Sequence, residues 1–203
     1  MKTIRHFTSI VALFVATGAW ADVGMITQLS GDVSLTAEAG GKQTAVSFLK
    51  VNTGDKVMMG NGARVQLVYF GNGRQEVWSG SGTVEVGSLE SKSSLKPVVT
   101  QLPTLVINRL AKTPAAGQQG RTGAVRTRSL LNPYEVADLD KQYQEMKSNT
   151  AANDTTPEVF LLSGLIEIKE VARAREVLAK LDGQPQYQTV VAHFKPLLAS
   201  SAK

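Results

Sequence analysis

Between residues 30 and 82 the chain returns to a glycine-centred turn about every ten residues. The turns are Ser30-Gly31, Ala39-Gly40-Gly41, Asn52-Thr53-Gly54-Asp55, Gly60-Asn61-Gly62, Gly71-Asn72-Gly73 and Gly80-Ser81-Gly82. That spacing leaves room for short strands and none for a helix of ordinary length. Between the turns, apolar residues alternate with polar ones. Val23, Met25 and Leu29 share a side, as do Val33 and Leu35. Val65, Leu67 and Tyr69 alternate with Arg64, Gln66 and a less tidy Val68, and Val84 and Val86 alternate with Thr83 and Glu85. Period two marks half-buried strands with one wet face. The expected fold is a glycine-rich, mostly antiparallel sandwich or roll. A nucleotide-binding reading of the glycines fails, because a phosphate fingerprint needs a helix after its strand and here strands lie on both sides.

The stretches VGMITQLSGDVSL and VNTGDKVMMGNGARVQLVYFGNGRQEVWSGSGTVEV resemble the FecR domain. Gly24, Gly31, Val33, Gly54, Asp55, Gly60, Gly62, Ala63, Val65, Asn72 and Gly73 occupy matching places over residues 22 to 90, and Met59 stands where threonine is common. The family's best-known members are inner-membrane regulators that sense an outer-membrane transporter and control a sigma factor. They carry an anti-sigma segment and a membrane helix ahead of the periplasmic part. Here a different segment stands ahead, so the resemblance implies a periplasmic β module that binds another protein.

That leading segment, residues 1 to 21, has Lys2 and Arg5, then an apolar run from Phe7 to Gly18, then Ala19-Trp20-Ala21. This is the order of a secretory signal peptide, with cleavage expected after Ala21. The run is too short to span a bilayer, which takes about 20 residues. No later segment is apolar and long enough to do so. Cysteine is absent, so neither disulfides nor a lipidated cysteine are expected, and folding rests on apolar burial. The expected product is a soluble periplasmic protein of a Gram-negative bacterium.

Charge is uneven. Residues 91 to 134 hold seven basic and no acidic residues, whereas the flanking segments are slightly acidic. Residues 91 to 133 read as a basic linker, with a short helix expected over LPTLVINRLAK. Arg109, Lys112, Arg121, Arg126 and Arg128 make a positive strip suited to an acidic partner, an anionic head group or a polysaccharide. Solvated linker charge is the simpler account of the same residues. Nucleic acid is not an expected partner, because no aromatics interleave the charges.

From residue 134 to 203 the period changes. Asn132 and Pro133 announce a helix on which Leu139, Tyr143 and Met146 share a face. Thr156 and Pro157 announce a second, with Phe160, Leu161, Gly164, Leu165 and Ile168 as its stripe. Ala172, Ala174, Val177, Leu178 and Leu181 build a third before Gly183, and residues 187 to 198 build a last one weakened by Pro196. PEVFLLSGLIEIKEVARAREVLAKL resembles one degenerate tetratricopeptide hairpin. A single such unit cannot bury its own faces, so a small bundle is expected.

Chemistry is sparse. The histidines are His6, in the leader, and His193, which reads as a surface or half-buried helix residue. No cluster has metal-ligand spacing and no cofactor motif occurs, so neither enzyme activity nor a cofactor is expected. Asp55 beside Gly54 reads as a turn cap. The expectation is an α+β chain, an N-terminal all-β sandwich or roll followed by a small C-terminal helical bundle. It would act as a non-enzymatic envelope adaptor whose partner is a membrane receptor or sensor ectodomain. Trp78, Arg109, Lys112, Arg121, Arg126 and Arg128 are the candidate contacts. The alternative is a binder of peptidoglycan or polysaccharide through Trp78, Tyr69 and the arginines. A third reading, a hydrolase, would need Glu76 and Glu85 to converge across a hairpin.

Overall fold

The computed structural model describes residues 22–116 and 133–200. The strands are β1 (Gly24–Ser30), β2 (Val33–Thr36), β3 (Lys42–Thr44), β4 (Leu49–Val51), β5 (Lys56–Met59), β6 (Arg64–Tyr69), β7 (Arg74–Ser79), β8 (Gly82–Glu85), β9 (Lys92–Ser93) and β10 (Val98–Gln101). The helices are α1 (Thr104–Lys112), α2 (Pro133–Asn149), α3 (Thr156–Glu167), α4 (Val171–Leu181) and α5 (Gln188–Ser200), with a 3₁₀ turn at Pro185–Tyr187. One sheet has the order β10-β7-β6-β1-β4 and the second β3-β2-β5-β8-β9, with antiparallel neighbours throughout. The chain is of the α+β class.

The sheets bury their facing sides together. Ile26, Val65, Leu67, Tyr69 and Trp78 of the first meet Val33, Leu35, Val57, Met59 and Val84 of the second. Turn chemistry supports this layer locally. Asp55 accepts the Glu38 amide at 3.1 Å and the Asn52 amide at 2.8 Å, while Gly54 holds φ +88° beside it. Gly24 serves a different need, because a Cβ there would lie 2.5 Å from the Val68 carbonyl oxygen of the paired strand β6.

The first sheet has no wet face over β6, contrary to the alternation. Its opposite side carries Met25 and Val68, which join Leu110, Leu139, Phe160, Leu165 and Phe194 in a second core beneath the helices. Hence β6 is buried at every position from Val65 to Tyr69, and the untidy Val68 faces the helices beside Gln66. The one-wet-face pattern holds in the second sheet, where Lys56, Thr83 and Glu85 are exposed.

Strands also run past residue 90, into the segment read as a linker. β9 joins β8, and β10 joins β7 as an edge strand exposed at all four positions. A four-residue strand between Pro97 and Pro103 is too short and too exposed to show a period. α1 forms where a short helix was expected.

α3 is the hub of the helical layer. It touches α1, α2, α4 and α5, so it is buried from Thr156 to Leu162 rather than along one stripe. Its cap is Thr155, one residue before the expected Thr156. Phe48, from the β3–β4 connection, plugs into the same layer. It holds φ +66°, a left-handed conformation that costs a side chain about 1 kcal/mol. The Phe48 amide donates to Ile26 at 2.6 Å, and its carbonyl accepts from Ala116 at 2.9 Å. The ring stacks on His193 at 4.1 Å between centroids and meets Phe194 edge-on at 6.1 Å.

His193 is therefore buried, at 5% exposure, and not a surface residue. Burial pushes its pKa from 6.5 down to about 4, although its hydrogen bond to the Pro114 backbone pulls the other way. Below pH 6.5 the unfolded chain takes up a proton that the native ring refuses, so stability falls with pH until about 4. The expected loss over that window is about 3 kcal/mol, at about 1.4 kcal/mol per unit. Urea unfolding of wild type and His193→Phe across the window tests this: the variant keeps the stacked ring and loses this acid limb.

Candidate functional site

The helices are pinned over β1 and β6, and toward β7 and β10 they stand away from the sheet. The gap is a cleft of about 560 Å³. Strand alternation fixes its floor. Gln75, Val77 and Ser79 share one side of β7 and line it, with Arg64 and Gln66 from β6 and Val98 and Thr100 from β10. Pro103, Leu105 and Val106 of the α1 entry form one wall, and Gln142, Glu145, Met146 and Asn149 of α2 form another.

At the inner end lies a buried polar knot. Gln66 Nε2 donates to Asp154 Oδ1 and to Thr156 Oγ1, both at 3.0 Å, and Gln75 Nε2 donates to Asp154 Oδ2 at 3.0 Å. The Thr156 amide and hydroxyl also donate to Asp154 Oδ1, at 2.9 and 2.6 Å. Asp154 thus sits just ahead of α3, where a carboxylate satisfies a free amide and matches the positive end of the helix. One atom is left over: Gln75 Oε1 is buried without a partner, on a residue that lines the cleft and is 4% exposed.

The residues singled out from sequence lie elsewhere. Trp78 is 2% exposed between the sheets, its Nε1 donating to Glu76 at 3.1 Å, so it offers no contact face. Tyr69 is likewise buried, bonded to Ser91 at 2.7 Å, with burial pushing its hydroxyl up to about 12. Arg109 lies 4.6 Å over the Phe160 ring, beside Glu167 at 3.8 Å, and burial lowers its pKa. Lys112 stays exposed and pairs with Glu167 at 2.5 Å. The structure thus brings Arg109 and Lys112 together on one helix acid, away from the cleft. Arg121, Arg126 and Arg128 lie outside the described residues.

Glu76 and Glu85 do not converge, because they lie on different sheets. Glu76 is wholly buried and held by Arg74, Trp78 and Ser91, whereas Glu85 is exposed. A second buried cluster, Glu158 with Lys147, Tyr143 and Tyr187, ties α2 to α3 and to the 3₁₀ turn. Burial alone would lower the Lys147 pKa, but its bonds to Glu158 and Tyr187 raise it overall, as in a structural ion pair. Among the described residues no group of three His, Cys, Asp or Glu could hold a metal, and no helix is long and apolar enough to cross a membrane.

Sequence reasoning missed Gln66, Gln75 and Asp154. The available signal was two glutamines on strands joined by the tight Gly71-Asn72-Gly73 turn, placed to meet on one sheet face. Comparison of the chain with family models, with curated proteins and with solved structures finds no match.

Removing the acceptor is expected to cost more than neutralising it. Asp154→Ala strands the Gln75 amide and the Thr156 donors and takes one of the Gln66 amide's two acceptors, and a loss of about 3 kcal/mol follows. Asp154→Asn costs about 1 kcal/mol, because the Gln75 amide can turn over and offer its free Oε1 to the new N–H. Urea unfolding of both variants measures the difference.

Proposed function

We propose that the chain is a non-catalytic periplasmic binding protein that acts by protein–protein contact in the envelope, with the cleft as its working face. What carries this reading is the cleft's lining. Side-chain amides and hydroxyls from Gln66, Thr100, Gln142 and Asn149 are interleaved with Val77, Val98, Leu105 and Met146. Such a surface suits a polypeptide, whose backbone alternates donors and acceptors and whose side chains ask for aliphatic contact. The FecR resemblance and the signal-like leader support the same reading.

The glycan alternative has less support. It drew on Trp78 and Tyr69 as stacking faces, and both rings are buried. The hydrolase reading loses its pair in the same way, with Glu76 buried and Glu85 on the other sheet.

The test is site-specific photocrosslinking in cells that export the full chain. A benzoylphenylalanine at Gln142, in the cleft wall, is expected to give one recurrent adduct with an envelope protein. The same group at Lys180, on the exposed side of α4, is expected to give none. The recovered chain should begin at Asp22. Equal labelling from both positions, or none from Gln142, would overturn the reading.

A further inference from the structure

β10 is an edge strand, and its bonding pattern can be followed residue by residue. The Leu102 amide donates to the Gly73 carbonyl at 2.9 Å, on the β7 side. Amides in an antiparallel ladder alternate direction, so those of Val98 and Thr100 also face β7, their register partners being Val77 and Gln75. The N–H and C=O groups of Val99 and Gln101 therefore point away from the sheet, unpaired by any strand among the described residues. Apolar surface gathers at this margin. Of the five exposed large apolar side chains among the described residues, three are here: Val98 at 67%, Val99 at 42% and Leu105 at 44%.

Charge distinguishes the two ends of the cleft. Arg64 pairs with Ser79, two residues beyond Val77, and Lys96 lies two residues ahead of Val98, the partner of Val77. Both cations thus stand at the end where β10 begins, and neither forms an ion pair among the described residues. Of the cleft's own carboxylates, Asp154 is taken up by the glutamines, and Glu145 stands on the α2 wall and pairs with neither cation. A strand laid antiparallel on β10 would end at the Arg64 and Lys96 end.

We infer that the cleft takes an extended peptide of a partner protein by strand addition to β10, antiparallel, with a carboxylate toward the peptide's C-terminal side meeting Arg64 and Lys96. The inference rests on the reading of the cleft as the working face. The peptide's backbone pairs with Val99 and Gln101, and its alternate side chains enter beside Val98 and Thr100. Two carboxylates satisfy this chemistry, an acidic side chain or a free C-terminus.

The experiment is selection of a displayed random nonapeptide library on the purified mature protein. Enrichment of peptides with aliphatic or hydroxyl residues at alternate positions and an acid toward the C-terminal side is expected. A synthetic consensus peptide then reads the details by fluorescence anisotropy. Val99→Pro removes an N–H that β7 does not use, so the sheet survives, and affinity should fall more than tenfold. N-methylation of the peptide's alternate amides should do the same to wild type, whatever that variant does to folding. Arg64→Gln with Lys96→Gln should weaken binding about three- to tenfold. C-terminal amidation, set against replacing the acidic side chain by its amide, tells the two carboxylate sources apart. No enrichment, or a consensus indifferent to Val99→Pro and to N-methylation, overturns strand addition. So does a wild-type dimer that Val99→Pro makes monomeric, since a second copy then fills the edge. The Gln142 crosslink does not use the β10 edge, so its survival would leave the protein-contact reading standing when strand addition fails.

Discussion

A sheet covered on both faces has to find partners for every polar group that its strands carry inward, and Asp154 is where this chain meets that demand. Gln66 and Gln75 point under the helices, at 2% and 4% exposure. Left alone, each amide would cost about 1–3 kcal/mol. Asp154 accepts from both and from Thr156, and hydrogen bonds to an ionised acceptor are the stronger kind. Because the carboxylate belongs to the turn between α2 and α3, satisfying the strands also places the start of α3. Every other helix of the layer touches α3, so a local requirement of two glutamines sets where the helical layer sits.

A second tie lies toward the opposite margin of the same sheet and is of a different kind. Phe48 precedes β4, the edge strand farthest from β10, and drives its ring between His193 and Phe194. Burying an aromatic of this size stabilises by more than any one hydrogen bond of the Asp154 knot. It says little about register, whereas the knot has one geometry. The two ties divide the labour, one supplying cohesion near β4 and the other position at β6 and β7. Among the described residues nothing comparable reaches β10, and there the helices stand off and the cleft opens.

What sequence could reveal follows from how local each cause is. Gly54 and Asp55 were legible because a turn is decided by the residues that make it. Pro133, Pro157 and Gly183 punctuated helices for the same reason, to within a residue. Alternation misled at Gln66, since period two reports that a strand's faces differ and not that the polar face is wet. Trp78 was miscast because an aromatic between turns is equally at home in a core and at a contact, and only the second sheet decides. β10 left no period to find, with four residues exposed on both faces. The left-handed φ of Phe48 is imposed by the carbonyl of Ile26 and the amide of Ala116, far from it in the chain. Gln75 as a cleft residue was invisible until the partner of its amide nitrogen, 79 positions away, was known.

The cleft's persistence follows from the same accounting of polar groups. An apolar gap beside a sheet would close, because collapse buries hydrocarbon at little cost. Here collapse would press Leu105 and Met146 onto a floor that carries Arg64, Ser79 and Thr100, stripping water from polar groups that hydrocarbon cannot satisfy. The margin is also held half-protected. Pro97 and Pro103 confine β10 to four residues and Lys96 stands at its entry, all of which blunt an edge against indiscriminate pairing. Yet among the described residues Val98 and Val99 remain exposed, and no strand pairs the outward groups of Val99 and Gln101. An edge meant only to be hidden would carry charge at those two valines; one that keeps them apolar while shortening the strand around them is selective rather than closed.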